Sequence, residues 1–119
     1  MQSVKYAIWG IYLLFSKERN AQIHLGITII ILVLGKWLKI TKEEWLWILL
    51  MIGMVLTTEA INTALEKLSD VVAPDRSIQI RNLKDVSAGA VLIAAIIALI
   101  GGLIIFIPKL LNLFYPIIT

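Results

Sequence analysis

Between residues 21 and 107 the chain carries three apolar runs, each long enough to be read as a bilayer crossing. Lipid offers backbone N–H and C=O groups no partner, so about 20 consecutive apolar residues are confined to a helix that satisfies its own hydrogen bonds. Residues 21–38 form the first run, 43–70 hold the second and its polar extension, and 83–107 form the third. With 60% hydrophobic residues and a mean hydropathy of +0.92, the chain lacks the polar surface that a water-facing shell needs. Residues 1–119 are therefore expected to form one all-α integral membrane domain.

The flanks of these runs carry membrane-interface residues. Residues 1–20 mix Tyr6, Ile8, Trp9, Tyr12 and Phe15 with Lys5, Lys17, Glu18 and Arg19, the composition of a helix lying along the surface. Trp45 and Trp47 anchor one end of the second run, and Lys36 and Lys39 can snorkel beside Trp37. Pro74 is expected to end the second helix, with Asp75 and Arg76 as turn residues. Pro108 is expected to close the third, leaving an apolar tail at the outer interface. Small residues in the third run (Ala88, Gly89, Ala90, Ala94, Ala95, Ala98, Gly101, Gly102) permit close helix packing. Three crossings put the N-terminus and the 67–85 segment on one side. That side holds Lys5, Lys17, Arg19, Lys67, Arg76, Arg81 and Lys84, against Lys36, Lys39, Lys42 and Lys109 on the other. The bias places the N-terminal side in the cytoplasm.

Composition also narrows the chemistry. There is no cysteine and one histidine, so thiolate and multi-histidine metal sites are excluded. Net charge is +3 without a basic run, which suits an anionic membrane surface or a phosphate-bearing ligand rather than nucleic acid. No cleavable signal peptide is expected. His24 reads as an interfacial or packing residue.

The second run does not end in ordinary polar sequence. Glu59, Asn62, Glu66 and Asp70 recur at helical spacing and share one face where the helix leaves the apolar layer. Glu59 lies 15 residues past Glu44, about 22 Å along the axis, near the inner boundary of a hydrocarbon layer about 30 Å thick. Ionisable groups at that depth are expensive and usually functional. Glu18 and the Lys84-Asp85 pair join the stripe on the same side. Carboxylates and an amide form a hard oxygen site suited to Mg²⁺ with substrate phosphates, and a lysine can balance phosphate charge. Glu59 stands where a lipid hydroxyl emerges and suits general-base work. The parts describe phosphoryl transfer from a soluble nucleotide to a lipid alcohol, without a Gly-rich phosphate loop. Two other readings use the same residues: a non-catalytic membrane subunit whose stripe pairs with a partner, and a small ion or proton pathway. Neither requires Lys84-Asp85 and Glu18.

The run Glu59-x-x-Asn62-Thr63-Ala64-Leu65-Glu66-x-x-x-Asp70 resembles the signature of the prokaryotic diacylglycerol kinase family. So does Lys84-Asp85-x-x-Ala88-Gly89-Ala90-Val91 downstream, and Glu18-Arg19-Asn20-x-Gln22-Ile23-His24 is similar to the form in Gram-positive-type undecaprenol kinases of that family. The resemblance covers about residues 5–108. It implies a small lipid kinase of three transmembrane helices and a surface helix, assembled as a homotrimer with active sites between subunits in the bacterial inner membrane. Carried over, it implies Glu59 as catalytic base, and Glu18 and Glu66 as holders of the Mg²⁺ on ATP. Asn62 and Asp70 become active-site helix positions, Lys84 and Asp85 nucleotide contacts, and Tyr6 and Gly10 residues near the nucleotide and lipid. Ala88 stands where some diacylglycerol kinases carry serine, and Trp9 where they carry a surface-helix lysine. These departures leave undecaprenol open as the acceptor.

Overall fold

The computed structural model describes residues 2–73 and 77–114. Four helices account for nearly all of the described residues: α1 (Gln2–Lys17), α2 (Arg19–Leu38), α3 (Lys42–Val72) and α4 (Ile78–Phe114). The last three are long and apolar enough to cross a membrane. Pro74, Asp75, Arg76 and the tail at 115–119 lie outside the described residues.

Each break between helices has a local cause. Glu18 alone separates α1 from α2, in extended conformation at φ −99° and ψ 119°. The Gln22 side chain donates to the Ser16 carbonyl at 3.3 Å, taking up one acceptor that α1 leaves open. At the far end of α2, Lys39 adopts the left-handed conformation with φ 55°. The Ile40 N–H returns to Gly35 O and the Lys39 N–H to Lys36 O, a Schellman closure. Thr41 then opens α3 through a reciprocal cap: its N–H donates to Glu44 Oε1 at 2.8 Å, and the Glu44 N–H donates to Thr41 Oγ1 at 3.2 Å. Ser77 accepts from the Ile80 N–H at 3.2 Å and so caps α4.

The third apolar helix is longer than the sequence suggests at both ends. It starts at Ile78 rather than near Leu83 and runs through Pro108 to Phe114. Pro108 removes one N–H and crowds the carbonyl four residues back, yet prolines are tolerated within membrane helices because freed groups find other partners. The residues just beyond Pro108 thus continue the helix instead of starting a separate tail.

Packing divides the molecule into two halves. Ile40, Ile48, Ile105 and Phe106 form a small apolar core, supported by Leu34, Trp45 and Met51. Toward the other end the buried residues of α3 are polar: Glu59, Asn62, Thr63 and Ser69. Helix α4 packs most extensively on α3 through Ser87, Val91, Ala94 and Ile105, a helical stripe. The small residues divide accordingly. Ala94 is buried, and a Cβ at Gly101 would collide with the Met51 side chain, whereas Ala88 and Ala90 are exposed. Helix α1 packs on α2 and buries none of its residues.

Candidate active site

The polar end of α3 carries an array of four polar pairs. Glu59 is 3% exposed, and its Oε2 lies 3.7 Å from His24 Nε2 on α2. One turn on, Asn62 is buried and its Nδ2 donates to Glu66 Oε1 at 2.9 Å. Lys67 Nζ lies 3.3 Å from Glu18 Oε2, tying α3 to the α1–α2 break. Lys84 Nζ donates to Asp70 Oδ1, tying α3 to α4. Glu18 and Glu66 both stand close enough to Glu59 for their charges to act on it. Glu59, Glu66 and Asp70 thus each meet a polar partner along the stripe: His24, Asn62 and Lys84 in turn.

This array gathers Glu18, Glu59, Asn62, Glu66, Asp70 and Lys84 around one face of α3. Tyr6 and Asp85 are exposed and join none of its pairs. Glu18, extended between α1 and α2, has its carboxylate beside Lys67. The short link from α3 to α4 brings Lys84 beside Asp70 although 14 residues separate them. Asn62 does not bridge helices. It bonds one turn along its own helix, as the hydroxyls of Thr28, Thr58 and Ser69 also do.

Among the described residues, one buried side-chain polar atom has no partner. With Asn62 Nδ2 engaged by Glu66, its Oδ1 is sealed from solvent and accepts nothing. Such an orphan costs about 1–3 kcal/mol, so it marks a place where a donor belongs.

A cavity of about 420 Å³ runs between α2, α3 and α4. Ile27, Ile31, Val55, Ala98 and Leu103 are among its walls, and the lining is apolar apart from His24 and Thr28. None of the carboxylates lines it, so within one chain the charged array and the cavity are neighbours joined at His24. His24 was the residue that sequence reasoning set aside. The register of α2 against α3 places it. Glu18 and Lys67 lie level across the antiparallel pair α2 and α3, and six residues along one helix and eight along the other lead to His24 and Glu59. Those rises, about 9 Å and 12 Å, bring both to similar depth.

No three His, Asp or Glu side chains among the described residues form a ready metal cage. Mg²⁺ needs no such cage: one or two carboxylates plus phosphates and waters suffice. Glu18 and Glu66 each keep one carboxylate oxygen outside these pairs.

Comparison with known proteins gives the chain's family. The family model for prokaryotic diacylglycerol kinase matches residues 5–106. An undecaprenol kinase of Bacillus subtilis is 36% identical over 109 residues, covering 92% of this chain and 89% of that protein. A diacylglycerol kinase of a Synechocystis species is 32% identical over 112 residues, covering 93% of this chain and 64% of that protein. No solved structure matches the chain at a significant level. With the match extending from α1 to Phe106 in α4, the chain belongs to the prokaryotic diacylglycerol kinase family of lipid kinases.

Proposed function

We propose that the chain transfers the γ-phosphate of ATP to the hydroxyl of a membrane lipid alcohol, at the cytoplasmic face of a bacterial inner membrane. Undecaprenol and diacylglycerol are the candidate acceptors, after the two relatives' activities. The observation that carries this reading is the position of Glu59: a buried carboxylate next to the one polar end of an apolar cavity, flanked by a charged array. A lipid chain fits the apolar side and a phosphate donor fits the charged side, so the two reactants meet at Glu59.

In this mechanism Glu59 accepts the hydroxyl proton while the alcohol oxygen forms its bond to the γ-phosphorus and ADP departs. Glu18 and Glu66 would hold Mg²⁺, which would supply positive charge to offset that of the phosphates. Asn62 keeps Glu66 in position through their hydrogen bond, and its unpartnered Oδ1 accepts a donor that arrives with the substrates. Lys84 leaves Asp70 to balance charge on the transferred group. Asp70 holds it ready meanwhile. Positioning supplies most of the rate, because phosphoryl transfer asks little covalent chemistry of the protein.

Tyr6 and Asp85 complete the site from a neighbouring subunit of a homotrimer, with α1 lying along the membrane surface. Support for assembly comes from the exposed apolar faces and from these two residues standing apart from the array. The test is purified protein with γ-labelled ATP, Mg²⁺ and a mixture of undecaprenol and diacylglycerol. Label is expected in the organic phase, in one lipid by preference. Label that never enters either lipid would remove the reading.

A further inference from the structure

His24 occupies a place that the mechanism above leaves unused. Its Nε2 lies 3.7 Å from Glu59 Oε2, and it is also the side chain shared between Glu59's surroundings and the apolar cavity. A buried carboxylate ordinarily collects donors. Yet no described side chain donates a hydrogen bond to Glu59, and the 3.7 Å to His24 Nε2 is too long for a good one. Two acidic side chains stand on the same elements: Glu18 at the α1–α2 break, beside Lys67, and Glu66 two turns along α3 from Glu59, beside Asn62. Helix α4 lines the same cavity with apolar side chains only.

A gap of 3.7 Å fits a third atom. An oxygen about 2.8 Å from both atoms sits about 2 Å off the line between them, at ordinary hydrogen-bond lengths. An alcohol oxygen is the matching group: it donates its proton to a carboxylate and accepts from an N–H. The cavity that ends at His24 is apolar, so the alcohol that reaches this gap is the head of a hydrocarbon chain.

We propose that His24 is the second polar contact of the acceptor hydroxyl, its Nε2–H donating to the alcohol oxygen while Glu59 takes the proton; this rests on the lipid kinase reading above. His24 fixes the direction of the remaining lone pair. During transfer the O–H proton passes to Glu59, that lone pair forms the bond to the γ-phosphorus, and the bond from the γ-phosphorus to the bridging oxygen breaks, releasing ADP. The imidazole keeps its proton throughout. It discriminates an alcohol seated at the end of the apolar cavity from a water molecule free to turn.

The test compares His24→Met with His24→Gln. Both keep roughly the volume of the side chain, and only glutamine carries an N–H at similar reach. Steady-state kinetics are measured with lipid and ATP varied separately, alongside ATP hydrolysis without lipid and thermal unfolding in detergent. The proposal expects H24M to lose about 10- to 100-fold in kcat/KM for the lipid, the scale of one positioned hydrogen bond, with the KM for ATP within about twofold of wild type. H24Q is expected to recover at least tenfold over H24M, and the share of turnovers lost to water is expected to rise in H24M. The proposal is overturned if H24M transfers phosphate to lipid within threefold of wild type. It is also overturned if H24Q is no better than H24M, or if the KM for ATP and the unfolding temperature change together with the lipid parameters. Failure of the wild-type protein to label any lipid strikes the kinase reading itself, which separates that outcome from the others.

Discussion

Asn62 is the residue where folding and chemistry ask for different things. Its Nδ2 serves Glu66, and its buried Oδ1 serves nothing within the described fold. Leucine there fills a similar volume and removes the orphan. Asn62→Leu is therefore expected to leave the unfolding temperature in detergent unchanged or slightly raised. Turnover should fall at least about tenfold, because Glu66 is released from its position. Activity and stability falling together would instead make Asn62 a packing residue. The stripe that contains it was legible in the sequence because a helix of known pitch fixes which residues share a face. What those residues touch was not legible. The pairs Glu18 with Lys67 and Asp70 with Lys84 join separate helices, and His24 beside Glu59 depends on how two helices slide past each other. No periodicity within one segment carries that register.

At the scale of elements, the α2–α3 connection is compact and strained at one residue. Lys39 is the only non-glycine residue with positive φ among those described, and its side chain is exposed. Lys39→Gly is expected to stabilise the protein by up to ~1 kcal/mol, read as a higher unfolding temperature, since glycine adopts that conformation without a Cβ penalty. Just before it, Gly35 is buried, and a Cβ there would stand 2.9 Å from Trp45 Cη2 and 3.1 Å from Trp45 Cζ2. The indole belongs to the apolar core and has little room to turn. Gly35→Ala is expected to destabilise by about 1–3 kcal/mol. Gly101→Ala should be milder, because it meets the flexible end of Met51 instead. Equal melting temperatures for the two alanine variants would contradict this packing. The three apolar helices themselves were legible from run length and composition, as few alternatives exist for such runs in lipid. Their ends were less so. Pro108 marks a stop in water but sits inside α4, and the break at Glu18 follows no proline or glycine.

Over the whole molecule, ion pairs mark both ends of the helix pair. Glu44 meets Lys109 at 3.3 Å at one end, and Asp70 meets Lys84 at the other. Along α3 these ends are 26 residues apart, about 39 Å, which exceeds a hydrocarbon layer of about 30 Å. The two ion pairs therefore cannot both lie inside such a layer, and Glu59 lies between them along α3. The chain is only 20 Å deep in its shortest dimension, so most of its helices present a face to lipid or to another subunit. If Asp85 acts on a neighbour's Glu59, mixing inactive Glu59→Gln and Asp85→Asn chains restores activity. Random assembly gives about a quarter of wild type, as one site in four then draws both intact residues from different chains. No recovery on mixing would confine each site to one subunit. Assembly is a property that no stretch of this sequence announces, since a lipid-facing helix and a subunit-facing helix have the same composition. The most direct measurement is phosphate transfer and nucleotide binding by Glu59→Gln, side by side. A general base contributes about 10²- to 10⁴-fold, so lipid labelling should fall by at least about 100-fold while ATP binding stays near wild type. Labelling at the wild-type rate in that variant would contradict the account.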